Sequence, residues 1–373
     1  MTRSLPVLLL LPLTLSACKD KGGDTGGEAL TVVSYNAGFA VGFVRSTEER
    51  LTVTSDAIAA LDADVVCLQE VWLPEHVSAV AAAAATSFPE QYFPDAQQEN
   101  GDSPACETGT YVFECARTEC GDVCADDLVS CVLDSCGFAL LGLDATCQNC
   151  VMANVGGTID EVEEACLTGD EHYAFGGSFG TGILSKYPLS GTEELVFSST
   201  LNRRSALHTT VAAPGGDLDV YCTHLTAVFG PSIPYPRDSG SWSTEQQTQF
   251  DELVAWVDTS ATTGRVALLG DLNSGPATAD SVAVEPDSWA KIEATDLADV
   301  YADLDGRCTF CPDNPISSAY PDGDGEVLDH VLLRGMTASS ATRILDTIIQ
   351  TESCGEAIDA GYSDHYGVAA TVQ

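Results

Sequence analysis

Several polar residues that can bind a metal ion or transfer a proton stand at the ends of short apolar runs in this sequence. Runs of this kind, rich in Val, Leu and Ile, predict buried β-strands, and a strand end holds its side chain rigidly at the rim of a sheet. One such residue alone would be interpreted as part of a turn, but their repeated occurrence predicts that the side chains meet at one site. The residues are Asn36, Glu70, His224, Asp271, Asn273, Asp329, Asp364 and His365.

The residue types in this set fit one kind of chemistry. Carboxylate and amide oxygens are hard ligands suited to Mg²⁺ or another divalent cation, and histidine can act as an acid, a base or a donor to a transition state. Cleavage of a phosphodiester needs a cation on the non-bridging oxygens, an oriented water molecule and a group that neutralises the leaving oxygen. The set therefore predicts metal-dependent hydrolysis of a phosphate ester.

Strands and helices alternate through the part of the chain that must position these residues. Apolar runs at 30–35, 65–68, 266–269 and 367–372 predict strands, and the turn at 214–217 predicts a hairpin. A mixture of hairpins and helical crossovers favours two packed sheets flanked by helices, which is an α+β fold.

A cysteine-dense segment spans residues 106–166 and holds nine of the fifteen cysteines. The pair Cys147 and Cys150 alone would permit a zinc site, but the segment contains no histidine, and an exported chain favours disulfides. We predict a helical insert whose small core is held together by disulfides. The sequence does not indicate what the insert binds. Cys67 and Cys222 lie inside apolar runs and fit buried free thiols.

Residues 1–18 have the pattern of a signal peptide, with Arg3 before an apolar run that is too short to span a bilayer. The run ends in Leu15-Ser16-Ala17-Cys18, which resembles the lipobox of bacterial lipoproteins and implies lipidation of Cys18; ordinary secretory cleavage is the alternative. Residues 19–29 are rich in glycine and predict a flexible tether. We therefore expect an exported protein that is lipid-anchored to the bacterial cell envelope, with a catalytic domain at 30–373 interrupted by the 106–166 insert.

The charge is strongly negative, because 15 basic residues stand against 56 acidic ones and give a net charge of −41. Such a chain repels polyanions and lacks the basic surface that nucleic-acid binders use. A bound divalent cation can reverse the field locally. Nucleic acid is therefore the less expected partner.

Short motifs around the polar residues resemble those of the endonuclease/exonuclease/phosphatase superfamily and occur in the same order. The resemblance covers residue 30 to the C-terminus, apart from the insert. It implies a fold similar to pancreatic deoxyribonuclease, a four-layer α/β/β/α sandwich. The motifs are Ser34-Tyr35-Asn36, Leu68-Gln69-Glu70-Val71, Thr223-His224-Leu225, Gly270-Asp271-Leu272-Asn273-Ser274, Leu328-Asp329-His330 and Ser363-Asp364-His365-Tyr366.

The resemblance also implies roles for the residues. Glu70 would be the principal metal ligand, with Asn36 assisting and with Asp271 and His365 completing the metal set. Asp271 and Asn273 would orient the water molecule and the phosphate.

The remaining residues would act around the scissile phosphate. His224 and His365 would flank it, and Asp329 or Asp364 would orient a histidine. The general base is expected to be His365 or Asp271. Arg203 and Arg204 are candidates for phosphate contact, with a solvated surface pair as the alternative.

The C-terminal third resembles bacterial sphingomyelinases in residues 314–329 and 362–366. Those enzymes carry an aromatic hairpin for membrane insertion, but residues 334–361 contain no aromatic residue here. Phe229, Tyr235 and Trp242 are candidates to replace it, unless their loop packs on its own domain.

Three functions are compatible with these features. The first is hydrolysis of a phosphodiester in a choline phospholipid such as sphingomyelin. The second is a secreted nuclease or phosphatase of the same superfamily. The third is a surface binding protein on a degenerate catalytic scaffold, against which the complete ligand set argues.

Overall fold

The computed structural model describes residues 29–101, 103–230, 233–237, 239–317 and 323–373. The predicted signal peptide, Cys18 and residues 19–28 of the predicted tether lie outside these ranges, as do residues 318–322 of the sphingomyelinase-like stretch. No helix within the described ranges has the length and apolar character needed to cross a lipid bilayer.

The described residues form eighteen strands and nine α-helices. The strands are β1 (Leu30–Asn36), β2 (Val65–Gln69), β3 (Glu90–Tyr92), β4 (Asn100–Gly101), β5 (Asp170–Glu171), β6 (Gly182–Ser185), β7 (Leu189–Val196), β8 (Ser205–Val211), β9 (Leu218–His224), β10 (Val266–Asp271), β11 (Ser281–Val282), β12 (Ala298–Asp299), β13 (Gly325–Glu326), β14 (Asp329–Arg334), β15 (Ala338–Ile344), β16 (Ile349–Ser353), β17 (Glu356–Ala360) and β18 (Gly367–Val372). The helices are α1 (Thr47–Ala59), α2 (Pro74–Ala84), α3 (Tyr111–Cys120), α4 (Ala125–Leu141), α5 (Ala145–Ala153), α6 (Ile159–Thr168), α7 (Trp242–Ser260), α8 (Pro286–Glu293) and α9 (Val300–Leu304).

Two six-stranded sheets pack face to face in the catalytic part of the chain. Their strand orders are β15-β18-β1-β2-β6-β3 and β12-β14-β10-β9-β8-β7. Side chains alternate along each central strand: in β10, Ala267 and Leu269 face the core between the sheets, whereas Leu268 faces the outside of its sheet. Both faces of these strands are therefore apolar, as expected for strands buried on both sides.

Helices cover the outer face of each sheet. Ile58 of α1 and Val80 of α2 pack against residues of β1 and β2. On the second sheet, Phe250 of α7 and Trp289 of α8 pack in the cluster that includes Leu268. The order helix, sheet, sheet, helix confirms the predicted four-layer sandwich.

Helices α3 to α6 form the disulfide-rich insert, as predicted. Their small core contains Val112, Phe113 and Leu140 among half-cystines. Four disulfides lie within the insert: Cys106–Cys147, Cys115–Cys136, Cys120–Cys131 and Cys150–Cys166. Because the insert has so few apolar residues, the disulfides supply the stability that a larger core would otherwise provide.

The expectation of free thiols at Cys67 and Cys222 is wrong. These residues form a disulfide between β2 and β9, with their Cα atoms 5.3 Å apart. Both are fully buried in the core between the two sheets. Each cysteine side chain lies on the inner face of its strand, so two residues that are far apart in the sequence meet between the two sheets.

Within the segment that lacks aromatic residues, β16 and β17 form a two-stranded hairpin, whereas β15 pairs with β18 in the first sheet. The disulfide Cys124–Cys354 joins the tip of this hairpin to the residue before α4 of the insert. The hairpin is thus tied to the insert by a covalent bond.

Candidate active site

The first sheet brings two predicted residues to one edge. Strands β1 and β2 are parallel, with Asn36 opposite Gln69, so Asn36 and the following Glu70 leave the sheet side by side. Strand β18 is antiparallel to β1, so the residues that precede it, Asp364 and His365, return to the same edge.

The second sheet supplies the remaining residues from the facing edge. Strands β9 and β10 are parallel and end in register, with His224 opposite Asp271. Strand β14 runs the other way and begins with Asp329, which also lies opposite Asp271. The strand directions alone therefore place Asp271 between His224 and Asp329.

These edges open onto a cleft of about 570 Å³. Asn36 and Asp329 lie behind its floor, where they hydrogen-bond to Asp271 and His365. The predicted residues that line the cleft are Glu70, Arg204, His224, Asp271, Asn273, Asp364 and His365.

Asp271 is the centre of the polar network. Its Oδ2 accepts a hydrogen bond from Nδ2 of Asn36 at 2.9 Å, and its Oδ1 accepts one from the backbone N–H of Asn273 at 2.9 Å. The Nε2 atoms of His224 and His365 lie 3.5 and 3.9 Å from Oδ2. Burial, together with the Asp329 carboxylate, raises the pKa of Asp271 to about 6.

Glu70 has the features of a cation ligand. It follows β2 with φ of 58°, a left-handed conformation that few residues other than glycine adopt. Its Oε2 is buried and has no hydrogen-bond partner in the described structure. Burial and the nearby Asp364 raise the pKa of Glu70 to about 7. A divalent cation would satisfy the oxygen and favour its ionised form.

His365 and Asp329 form a close pair at the base of the cleft. Nδ1 of His365 lies 2.8 Å from Oδ2 of Asp329. Burial opposes the charged imidazole, but the carboxylates of Asp329 and Asp271 outweigh it and hold the pKa of His365 well above its usual range. One donor atom from each of these three residues lies within 4.8 Å of the others, so the group is also compact enough to hold a cation.

His224 has the opposite electrostatic environment. Its side chain is buried, and its Nδ1 has no hydrogen-bond partner in the described structure. Burial and the charges of Arg204 and His365 hold the pKa of His224 well below its usual range. The surroundings therefore favour the neutral form of His224 and the protonated form of His365, an arrangement that separates hydrogen-bond acceptor and acid roles.

The two adjacent arginines point in different directions. Arg204 is buried in the cleft wall, 5.5 Å from the centre of the Trp72 ring, and burial lowers its pKa to about 10. Its Nη1 has no hydrogen-bond partner in the described structure. Arg203 instead pairs with Glu99 at 2.9 Å and donates to the Gln97 carbonyl. Of the two arginines, only Arg204 lines the cleft.

Arg50 is a buried residue of the site that the sequence patterns did not reveal. Its guanidinium donates to the Gly38 carbonyl at 2.7 Å and to the Tyr362 carbonyl at 2.5 Å. It thereby joins the loops that carry Asn36 and Asp364. No sequence signal marks this role, because the arginine sits on a helix among ordinary charged residues.

The insert forms one wall of the cleft, which the sequence did not indicate. Asp126, Asp127, Val129, Ser130 and Leu133 of α4 line it. Asp126 accepts hydrogen bonds from the Ser46 backbone N–H at 3.1 Å and from the Ser353 hydroxyl at 2.5 Å. Asp127 forms an ion pair with Arg45. With the Cys124–Cys354 disulfide, these contacts fix α4 against the catalytic part.

Trp242 and Tyr235 do not form an exposed membrane-binding surface. Trp242 is buried, packs edge-on against Phe229 and Tyr235 at 5.0 Å each, and donates its indole N–H to the Ile233 carbonyl. The hydroxyl of Tyr235 donates to Glu245. The described part of the loop is therefore packed on its own domain. Of the three aromatic residues, only Phe229 lines the cleft.

Comparisons with known proteins agree with this architecture. A sequence profile of the Endonuclease/Exonuclease/phosphatase family matches residues 33–365, so the chain belongs to that family. Members of the family are hydrolases that act on phosphate esters and usually use a divalent metal. No curated protein sequence matches the chain.

Solved structures share the fold at low sequence identity. Sphingomyelinase C from Streptomyces griseocarneus is 20% identical with a TM-score of 0.55, over 92% of this chain and 99% of that one. Beta toxin from Staphylococcus aureus, a double mutant with bound magnesium ions, is 16% identical with a TM-score of 0.56, over 92% and 99%. A family member from Bacteroides thetaiotaomicron is 12% identical with a TM-score of 0.52, over 93% and 98%. These likenesses concern the fold alone.

Proposed function

We propose that this protein is an exported, Mg²⁺-dependent phosphodiesterase that hydrolyses a choline phospholipid such as sphingomyelin. The observation that carries the proposal is the buried, partnerless Oε2 of Glu70, which faces a cleft shared with two histidines and Asp271. A buried carboxylate oxygen without a partner is unfavourable unless a cation or a proton satisfies it.

The metal set would be Glu70 with Asn36 and Asp271, whereas His365, the fourth predicted ligand, would carry a proton on Nε2 and so would not bind the cation. The amide of Asn36 already donates to Asp271 and accepts from the Gly38 backbone N–H at 3.0 Å, so it also holds Asp271 in place. When bound, the cation would supply positive charge to the non-bridging oxygens of the phosphate. Arg204, with a partnerless Nη1, would bind another phosphate oxygen.

Asp271 and His365 would divide the proton transfers. Asp271 would accept the proton of a water molecule, because its pKa, raised to about 6, makes it a stronger base than an ordinary carboxylate. His365, held protonated by Asp329, would donate its Nε2 proton to the departing oxygen as the P–O bond to that oxygen breaks. His224, whose neutral form is favoured by burial, and Asn273 would orient the phosphate and the water.

Two features support a zwitterionic lipid over DNA. The net charge of −41 opposes the approach of a polyanion. The cleft also has apolar walls beside its polar floor, with Phe229, Ile233, Phe310 and Ile316 among the lining residues. A nucleic-acid groove would be lined by basic residues instead.

A substrate panel tests this function. Initial rates are measured at equal protein concentration on sphingomyelin vesicles, phosphatidylcholine vesicles, duplex DNA and a small phosphomonoester, with Mg²⁺ and with chelator. We expect Mg²⁺-dependent release of phosphocholine to exceed DNA cleavage at physiological salt. A higher rate on DNA would assign the protein to a nuclease function, and a lack of turnover on every substrate would favour a binding scaffold.

We also propose that Cys18 is the lipid-modified residue of an envelope anchor. The support is the small residues Ser16 and Ala17 directly before it and the short apolar run upstream. Cys18→Ser should move the protein from the membrane fraction to the soluble exported fraction. An unchanged distribution would reject the anchor.

A further inference from the structure

A second cavity lies inside the insert, next to the catalytic cleft. Its volume is about 110 Å³, and its lining consists of hydrophobic residues and glycine. Phe113 of α3, Met152 of α5 and residues of α4 and α6 line it. Nothing in this lining can bind a charged headgroup, because its side chains offer no hydrogen-bond donor or carboxylate.

The cavity and the cleft share part of their walls. Val129 and Leu133 of the insert, with Phe43 and Ile233 of the catalytic part, line both. The apolar space therefore begins where the catalytic cleft meets the insert, and a molecule whose phosphate lies near Glu70 can extend an apolar chain toward it.

The insert is built so that this space persists. Cys115–Cys136 and Cys120–Cys131 hold α3 and α4 together on one side of the cavity. An empty apolar cavity is unfavourable because its lining loses packing contacts. Apolar cavities of this kind remain dry and bind apolar molecules.

We infer that this cavity receives a hydrocarbon chain of the phosphodiester substrate, which makes the insert a substrate-specificity element. The inference rests on the proposed function for the position of the phosphate. It assigns the apolar part of the substrate to the insert wall and not to the hairpin β16–β17, which is tied to the insert by Cys124–Cys354.

Equilibrium binding separates this inference from catalysis. Methyl-, butyl- and octyl-phosphocholine are titrated by calorimetry into the full-length protein below their critical micelle concentrations, in the presence of a chelator so that the ligands are not hydrolysed. We expect affinity to rise with chain length, by up to about fourfold for each methylene group that enters the cavity. Leu133→Gln should abolish the dependence on chain length.

Two further variants make the test specific. Val129→Phe, which narrows the shared wall, should weaken octyl-phosphocholine binding and so provides a second measurement if Leu133→Gln does not fold. Phe138→Gln is the matched control, because Phe138 lies on the same helix, is 94% exposed and does not line the cavity. It should retain the full dependence on chain length.

The outcomes are distinct. Affinity independent of chain length in the unmodified protein, or no binding of the octyl compound, would overturn the inference. Loss of chain dependence in Phe138→Gln but not in Leu133→Gln or Val129→Phe would overturn it in favour of surface adhesion. Absence of phosphodiester hydrolysis alongside chain-dependent binding that Leu133→Gln removes would reject the proposed function and support the cavity assignment.

Discussion

His365 and Asp329 come from different sheets, yet their side chains are in direct contact, with Nδ1 2.8 Å from Oδ2. The pair therefore bridges the two halves of the sandwich at the base of the cleft. Asp329 both fixes the orientation of the imidazole and favours its protonated form.

Replacing Asp329 with Asn should lower the pKa of His365, because a neutral amide stabilises the imidazolium less than a carboxylate does. NMR titration of the His365 ring protons measures this directly, and the basic limb of the pH–rate profile should move to lower pH. We expect kcat to fall by about 100-fold or more. Asp299→Asn is the control, since Asp299 contacts His330 and not His365. An unchanged His365 titration would contradict the pairing.

Glu70→Gln should remove Mg²⁺ binding while preserving the fold. An amide oxygen carries no net charge, so a hard cation loses most of its attraction to this position. We expect kcat to fall more than about 100-fold. Loss of a residue that only hydrogen-bonds to a metal ligand costs up to about 100-fold, and loss of the ligand itself should cost more. Calorimetry with Mg²⁺ and circular dichroism separate the two effects. Glu75→Gln, at an exposed position, is the matched control; near-normal activity of Glu70→Gln at limiting Mg²⁺ would exclude the assigned role.

Mg²⁺ affinity should depend on pH near neutrality. Burial raises the pKa of Glu70 to about 7, so below that value the ion-free carboxyl is protonated and a cation must displace a proton. Affinity should therefore fall with decreasing pH by up to about tenfold per unit below 7. Titrations in buffers of different ionisation enthalpy count the released protons. Release of no protons at pH 6 would show that Glu70 is not the ligand.

Removing the Cys67–Cys222 disulfide by the double change to Ala should lower the free energy of unfolding substantially. For a sequence separation of 155, the chain-entropy estimate is about 5 kcal/mol. The same change at Cys308 and Cys311, separated by 3, is the control, with an estimate of about 2 kcal/mol. Denaturant unfolding measures both, and equal losses would argue against a special role for the link between the sheets.

Arg50→Met should destabilise the protein by about 3 kcal/mol or more, because several buried carbonyl groups lose a charged donor. Arg117→Met is the control, since that arginine makes only exposed ion pairs with Asp160 and Glu163. Denaturant unfolding provides the comparison. If the two variants are equally stable, Arg50 does not hold the loops together.

Much of the catalytic part was predictable because its signals are local. Each site residue ends an apolar run, and strand direction then brings the ends together, as with His224 and Asp271. The sequence could not show which of Arg203 and Arg204 faces the cleft. Successive side chains of an extended segment point to opposite sides, and no local pattern marks the side that faces the cleft. The pairing of Cys67 with Cys222 depends on the packing of two sheets, which no local pattern encodes.

The cysteine pattern predicted the insert, but no sequence pattern predicted its position beside the cleft. That position depends on contacts between segments far apart in the chain, such as Asp126 with Ser353 and Cys124 with Cys354. Single residues of this kind have no periodicity and resemble ordinary surface positions. Tertiary packing alone reveals that α4 is part of the catalytic cleft.

The pairing of β1 with β18 determines when the site can be completed during synthesis. Asn36 is among the first parts of the site to be translated, whereas Asp364 and His365 emerge only after the insert and nearly all of both sheets have been made. A nascent chain therefore carries no complete site, and a product truncated before residue 364 lacks the imidazole that pairs with Asp329. A complete cleft can form only once β18 and the residues before it have been made.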